Sequence, residues 1–231
     1  LNGSLYQGSK PVMWSPIEKT ALAEAEIEYH EIDSNSIYVA FKVKNSPNKL
    51  LENTSVVIWT TTPWTIPGNR AIAFGDSIDY CIFKVQESKN NLIKDNKYLV
   101  AKSLLDEVCK RCDINKFELV KEIKGEELNN TICSHPFSKI GFDYDVPLLK
   151  GPFVEDSEGT GFVHIAPCYG EDDYYLALDN NIVIKDIVKD DGCYRDNTPV
   201  FAGIHVFKAH LSVKENLEEQ NKLLGSREYR H

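Results

Sequence analysis

Short apolar segments separated by turn-forming residues run through most of this sequence, and they restrict the folds that it can adopt. Asn, Asp, Gly and Pro punctuate the segments, several of which alternate apolar and polar residues while one, 54–61, is continuously apolar. Runs of this kind are typical of β-strands. The predicted strands are 25–32, 36–43, 54–61, 80–85, 97–101, 117–123 and 161–167.

Helical patterns are fewer. The predicted helices are 102–112, 171–180 and 205–225. In the third, Phe207, Leu211, Leu217 and Leu224 fall near helical spacing, and Gly225 is a plausible C-terminal stop. Many strands beside few helices predict an α+β, β-rich, barrel-like domain with peripheral helices.

Length and charge set further limits. The 231 residues are 42% hydrophobic and carry a net charge of −9, so we expect one globular domain over 1–231 that does not bind nucleic acid tightly by itself. No apolar run approaches the roughly 20 residues of a membrane span, and neither a membrane nor DNA is predicted as a partner. The only methionine is Met13, which we interpret as the sign of a fragment of a longer protein.

The six cysteines include a CxxC pair, Cys109 and Cys112. A zinc site would need a second pair of ligands, and the sequence has no second CxxC and no HxxxH. The pair also lies in a helix-like segment. A metal or redox role for the pair stays open, but the favoured interpretation is that the two cysteines have neither role, and no metal site is predicted.

A row of threonines ends the apolar run 54–61. Thr60, Thr61 and Thr62 precede Pro63, which cannot donate a ladder hydrogen bond and so ends the strand. A strand end with threonines on both faces is one interpretation. The other is a ledge of hydroxyls and freed amides that binds a ribose, a phosphate or a carbonyl.

A second candidate region is the segment 159–181, where an apolar strand with His164 leads through a proline turn into a helix. Glu171, Asp172 and Asp173 fill the first turn of that helix, where acidic residues favour the helix dipole. Taken singly, a core histidine and helix capping are the simpler interpretations. Together, His164 and Asp173 across a strand–turn–helix junction indicate a site.

No nucleophile motif accompanies these residues. The sequence has no GxSxG, HExxH, GxGxxG or P-loop pattern, and no cysteine with an evident histidine partner. If the chain is an enzyme, the attacking group is expected to be water.

Several long motifs in order carry a family resemblance. "KPVMWSPIEKTALAEAEIEY", "WTTTPWTIPGNRAIA", "SHPF", "GTGFVHIAPCYGEDDY" and "GIHVFKAH" resemble the editing insertion of isoleucyl-tRNA synthetases over nearly the whole chain. The related valyl and leucyl enzymes usually have TTRP in place of the TTTPW found here. HIGH and KMSKS signatures are absent, so the resemblance implies no amino-acid activation by this chain.

The resemblance implies the barrel-like editing fold and hydrolytic proofreading of Val-tRNA(Ile), and it leaves open whether Val-AMP is a second substrate. It implies a catalytic set and a substrate-binding set. The catalytic set is Asp173, Thr61 and Thr62, and the substrate-binding set is Thr60, Asn69, His164 and Trp64. In this family Asp173 would hold the α-ammonium group and His164 would help to exclude isoleucine. Cys168 and Tyr169 stand where the family often has Gly-His, so no role carries over there.

The implied partners are the valine-bearing 3′ end of tRNA(Ile) and the rest of a cytoplasmic synthetase, and no cofactor is implied. Two alternatives remain at this point. One is a module of the same fold that binds the tRNA 3′ end without hydrolysis. The other is an unrelated β-barrel interaction domain whose threonine and aspartate runs are structural.

Overall fold

The structure is a computed structural model that describes residues 10–28 and 33–230. This part of the chain contains twelve strands and three α-helices. The strands are β1 (Trp14–Ser15), β2 (Thr20–Ala21), β3 (Asp33–Asn45), β4 (Thr54–Thr60), β5 (Ala71–Phe74), β6 (Asp79–Ser88), β7 (Lys97–Ala101), β8 (Ile114–Lys124), β9 (Ile132–Ser134), β10 (Asp145–Lys150), β11 (Phe162–Ile165) and β12 (Leu223–Arg230). The helices are α1 (Leu105–Arg111), α2 (Glu171–Asp179) and α3 (Val206–Glu219).

One large mixed sheet organises the molecule. Its path is β11-β5-β10-β9-β3-β4-β7-β6-β8, and β12 pairs with β3 beside this path. The pairs β10–β5 and β4–β7 are parallel, and the others are antiparallel. The sheet curls, so that β11 contacts β4 and the Ala101 amide donates to the Thr160 carbonyl at 2.8 Å. The predicted β-rich α+β class is confirmed.

Strand β4 lies in the middle of this sheet and leads to the candidate site. Its residues Val56, Val57 and Ile58 are fully buried, on both faces of the sheet. A strand covered on both faces needs a continuous apolar run rather than an alternating one. Because the middle of the strand is buried on both faces, it has apolar side chains there, and the row of threonines starts at its last residue, Thr60.

Most of the predicted strands are confirmed. Segment 97–101 coincides with β7, and 36–43, 54–61, 80–85, 117–123 and 161–167 match strands with shifted ends. The prediction for 25–32 is wrong where it can be compared, because Glu24–Glu26 is a 3-10 turn. The rest of that segment, 29–32, lies outside the described residues.

Two helix predictions are confirmed and the third is partly wrong. Segment 102–112 contains α1, and 171–180 contains α2. In the third, α3 ends at Glu219, Asn221 adopts a left-handed φ of 55°, and the chain turns into β12. Gly225 is therefore a strand residue and not a helix stop, and Leu224 is buried in the sheet.

The buried face of α3 also differs from the prediction. Phe207 and Leu211 are 67% and 59% exposed, so they do not face the core. The buried residues of this helix are Val206, Ala209, Val213 and Leu217. Of the apolar residues used for the prediction, only Leu217 is among these buried residues of α3. Phe207 and Leu211 lie four residues apart and form a separate apolar stripe on the exposed side of the helix.

The CxxC pair is buried at α1. Cys109 and Cys112 are free thiols, and burial raises the pKa of Cys109 to about 12. Among the described residues, no group of three His, Cys, Asp or Glu side chains is placed to hold a metal ion. None of the helices in this part of the chain has the length and apolar character to cross a membrane.

Candidate active site

An open pocket of about 220 Å³ lies where the end of β4 meets β11 and the start of α2. Polar and aromatic side chains form much of its wall. The lining residues are Trp59, Thr60, Thr62, Thr65, Val163, His164, Ala166, Tyr169 and Asp173. The pocket thus joins the two sequence regions in which a site was predicted.

The threonine row forms one side of the pocket through a hydrogen-bonded turn. Strand β4 ends at Thr60, and a 3-10 turn starts at Pro63, whose fixed φ suits a first helical position. The Thr62 amide donates to Thr60 Oγ1 at 3.1 Å, and the hydroxyl oxygens of these two threonines lie 3.2 Å apart. The hydroxyls are therefore held in place by one another and by the backbone.

Thr65 connects the threonine row to His164 on β11. Its hydroxyl lies 2.8 Å from the Thr62 carbonyl, to which it donates, and 2.7 Å from His164 Nε2. Its own oxygen therefore accepts from His164. No role was predicted for Thr65, although it is the fourth threonine of the segment WTTTPWTIPGNRAIA.

The tautomer of His164 follows from its second partner. Asn69 Nδ2 can only donate, and it does so to the Ala71 carbonyl at 2.9 Å and to His164 Nδ1 at 3.0 Å. Nδ1 is therefore the acceptor, and Nε2 carries the hydrogen that reaches Thr65. Burial lowers the pKa of His164 to about 4, so the ring is neutral at pH 7. A ring with both nitrogens engaged is not available as a general base.

This buried imidazole predicts a pH dependence of stability. The pKa of His164 is about 4 in the folded protein, below the ordinary value of 6.5. As pH falls, the unfolded chain takes up the proton first, so the contribution is complete above pH 6.5 and is lost between pH 6.5 and pH 4. We expect this loss to be on the order of 3 kcal/mol of unfolding free energy.

Denaturant unfolding at several pH values measures the effect. His164→Gln should flatten the acid slope relative to the unsubstituted chain. Parallel pH profiles for His164→Gln and the unsubstituted chain would contradict a neutral, buried His164.

A second layer of hydrogen bonds holds the threonine turn. The Phe137 amide donates to His135 Nδ1 at 3.1 Å, so His135 Nε2 carries the hydrogen and donates to the Ile66 carbonyl at 3.0 Å. The Tyr144 hydroxyl donates to the Asn69 carbonyl at 2.8 Å. His135 belongs to the quoted SHPF segment, and its place behind the turn gives that segment a structural role.

Asp173 enters the pocket from the first turn of α2. Its Oδ2 accepts a hydrogen bond from the Ala166 amide at 2.8 Å, so it joins its helix to the end of β11 rather than capping that helix. Gly170 leaves room for the carboxylate, since a Cβ there would lie 3.0 Å from Asp173 Cγ. Burial raises the pKa of Asp173, while the Ala166 amide opposes the shift. A cationic group in the pocket would favour the ionised form.

The predicted site residues differ in how they relate to the pocket. Thr60, Thr62, His164 and Asp173 line it. Asn69 is fully buried and acts through its contact with His164.

Two further predicted residues are outside the lining. Thr61 lies between two lining threonines and is partly exposed. Trp64 packs edge-to-face against Tyr169, with ring centroids 5.0 Å apart. Tyr169 itself was not predicted as a site residue, and neither was Trp59, although both line the pocket.

These side chains limit the chemistry of the pocket. The lining offers three threonine hydroxyls, one carboxylate and one neutral imidazole, and no Cys, Ser, Lys or Arg is among the lining residues. Such a pocket can bind an amine through the carboxylate and can orient a polar acyl group through the hydroxyls.

Comparison with known proteins identifies the family. The model for tRNA synthetases class I (I, L, M and V) matches residues 1–217. The chain belongs to this family. An unrelated β-barrel interaction domain, the last of the alternatives above, is therefore excluded.

Among class I synthetases, the chain is similar to isoleucine–tRNA ligases. It is 49% identical to that of Pelagibacter ubique over 229 residues, which are 99% of this chain and 25% of the relative. It is 48% identical to that of Gluconobacter oxydans over 223 residues, which are 95% of this chain and 23% of the relative. The chain thus spans about a quarter of the length of these relatives.

Solved structures share the fold. The crystal structure of GlLeuRS-CP1 aligns with a TM-score of 0.65 at 14% identity, covering 82% of this chain and 98% of that one. The cytosolic leucyl-tRNA synthetase editing domain of Plasmodium knowlesi aligns with a TM-score of 0.57 at 11% identity, covering 86% and 97%. This class I synthetase chain therefore has the fold of leucyl-tRNA synthetase editing domains.

Proposed function

We propose that the chain is the editing domain of an isoleucyl-tRNA synthetase and hydrolyses valine from Val-tRNA(Ile). The observation that carries the proposal is the presence of Asp173 and the threonine hydroxyls in one pocket beside a neutral, immobilised His164. These groups suit an aminoacyl ester, which has a cationic amine next to a polar carbonyl.

The need for a second site follows from the limits of side-chain recognition. A pocket that accepts isoleucine can disfavour valine only by the binding of one methylene, worth about 1–3 kcal/mol, and isoleucyl-tRNA synthetases are the standard example of that limit. A separate pocket that admits valine and rejects isoleucine by size adds a second discrimination. His164 and its neighbours in the lining are suited to that role because hydrogen bonds hold the ring in one position.

In the proposed reaction, the Asp173 carboxylate pairs with the α-ammonium group and fixes the ester. The hydroxyls of Thr60 and Thr62, with Thr61 between them, orient the carbonyl and stabilise the negative charge that develops on its oxygen. Water attacks the carbonyl carbon, the bond to the ribose oxygen breaks, and free valine and tRNA leave. Orientation can suffice because an aminoacyl ester is already reactive.

The terminal adenosine has a candidate place beside this pocket. Trp59 lines both the pocket described above and a second one of about 190 Å³, which also contains Tyr38 and the Glu107–Arg111 ion pair. Aromatic rings with adjacent polar groups are suited to stacking and hydrogen bonding of a base. A ligand that spans both sides of Trp59 would match an aminoacyl-adenosine.

The partners of this proposal are the 3′ end of tRNA(Ile) and the remainder of the synthetase. With a net charge of −9, the chain is poorly suited to hold a whole tRNA through its phosphates. The rest of a synthetase would bind the tRNA body and present the 3′ end at high effective concentration. Residues 1–231 would then act as one editing domain within that longer protein.

Release of valine from Val-tRNA(Ile) by this chain tests the proposal. Steady deacylation above the spontaneous rate is the expected result. A chain that binds a valyl-adenosine analogue but releases no valine from the tRNA would instead be the non-catalytic 3′-end binding module.

A further inference from the structure

Tyr169 forms part of the pocket wall and is held from three sides. Its ring packs edge-to-face on Trp64, with an interplanar angle of 66°. Its hydroxyl donates to Asp186 Oδ1 and accepts from the Ile187 amide, both at 3.3 Å. Asp186 is in turn paired with Arg195, at 2.6 Å between Oδ2 and the guanidinium. Hydrogen bonds thus hold the tyrosine to Asp186 and Ile187, which do not line the pocket themselves.

The ring also lies directly against the turn that carries the threonines. A Cβ placed on Gly68 would come within 2.8 Å of Tyr169 Cε2, so this position has room only for glycine while the ring stays where it is. Burial raises the pKa of Tyr169, which keeps its hydroxyl protonated and able to donate to Asp186. The wall is therefore closely packed against backbone on one side and hydrogen-bonded on another.

We propose that Tyr169 is a specificity-determining residue of the pocket and sets its size limit together with His164. This inference rests on the proposed editing function. Tyr169 is an uncharged aromatic group that lines the pocket, so it acts on the substrate by occupying volume. Asp186 acts through Tyr169 as a positioning residue, because it holds the hydroxyl and keeps the ring from turning away from the pocket.

Deacylation of Val-tRNA(Ile) and Ile-tRNA(Ile), measured side by side as kcat/KM, tests the role. Tyr169→Ala should lower the Val-to-Ile ratio by about tenfold or more, the scale of discrimination by one methylene, mainly by raising hydrolysis of Ile-tRNA(Ile). Tyr169→Phe keeps the ring and removes the hydroxyl, and it should lower the ratio by about two- to tenfold, the scale of one lost hydrogen bond. Tyr175→Ala, on the exposed side of α2, is the matched control and should leave the ratio unchanged.

The outcomes separate this inference from the function on which it rests. A folded Tyr169→Ala with an unchanged ratio overturns the assignment. If that variant does not fold, an unchanged ratio in Tyr169→Phe overturns it instead. If the unsubstituted chain does not hydrolyse Val-tRNA(Ile), the editing function fails, and the size limit is then decided by binding of non-hydrolysable valyl- and isoleucyl-adenosine analogues. In that case an unchanged ratio of Kd values in the two Tyr169 variants overturns the assignment.

Discussion

Replacing Asp173 by asparagine is expected to slow hydrolysis of Val-tRNA(Ile) by roughly ten- to a hundredfold, because a charge-assisted hydrogen bond contributes about 1.5–3 kcal/mol. Asparagine removes the charge that pairs with the α-ammonium group but keeps an oxygen that can accept from the Ala166 amide. It is therefore a cleaner substitution than alanine, which would also leave that amide without its partner.

Single-turnover deacylation measures the change, with circular dichroism as the check on folding. Asp172→Asn is the matched control, since Asp172 is the exposed neighbour of Asp173 and does not line the pocket. It should retain the rate of the unsubstituted chain. Deacylation at that rate by a folded Asp173→Asn would remove the carboxylate from the mechanism.

Replacing His164 by alanine is expected to let the chain hydrolyse Ile-tRNA(Ile), raising that rate by about tenfold or more, the scale of discrimination by one methylene. The substitution removes a ring that is only 9% exposed and enlarges the pocket. It also breaks the hydrogen bonds of His164 with Thr65 and Asn69, which keep their bonds to the Thr62 and Ala71 carbonyls, so we expect a loss of stability of about 1 kcal/mol for each broken hydrogen bond.

The rates at which this variant deacylates Val-tRNA(Ile) and Ile-tRNA(Ile) test the prediction, and His210→Ala on α3 is the control. The control should spare Ile-tRNA(Ile) as the unsubstituted chain does. If folded His164→Ala clears Val-tRNA(Ile) and still spares Ile-tRNA(Ile), the size limit lies with other lining residues, Tyr169 foremost among them.

The sequence predicts those parts of the fold whose cause is local. The continuous apolar run of β4 and the proline after the threonines are visible in the residues themselves, and the structure has both the strand and its end there. The error at α3 has a long-range cause. Leu223 and Leu224 continue an apolar pattern near helical spacing, but they belong to β12, which pairs with β3 far away in the sequence. Periodicity within one segment cannot reveal that partner.

The candidate site shows the same division. The polar types and the turn signals made Thr60, Thr62, His164 and Asp173 visible, and all four line one pocket. Two hydrogen bonds were not predicted, one from the Ala166 amide to Asp173 and one from the Tyr169 hydroxyl to Asp186. Both depend on the tertiary fold, which brings these residues together. Thr65 is the exception, because its place three residues after Thr62 is a local signal from which its role could have been predicted.

Hydrolysis of Val-tRNA(Ile) and Ile-tRNA(Ile) by this chain, followed in parallel at equal concentrations, tests the central claim most directly. We predict release of valine well above the spontaneous rate and release of isoleucine close to it. Equal release of both amino acids, or of neither, by the folded chain would contradict a size-selective editing pocket between the threonine turn and α2.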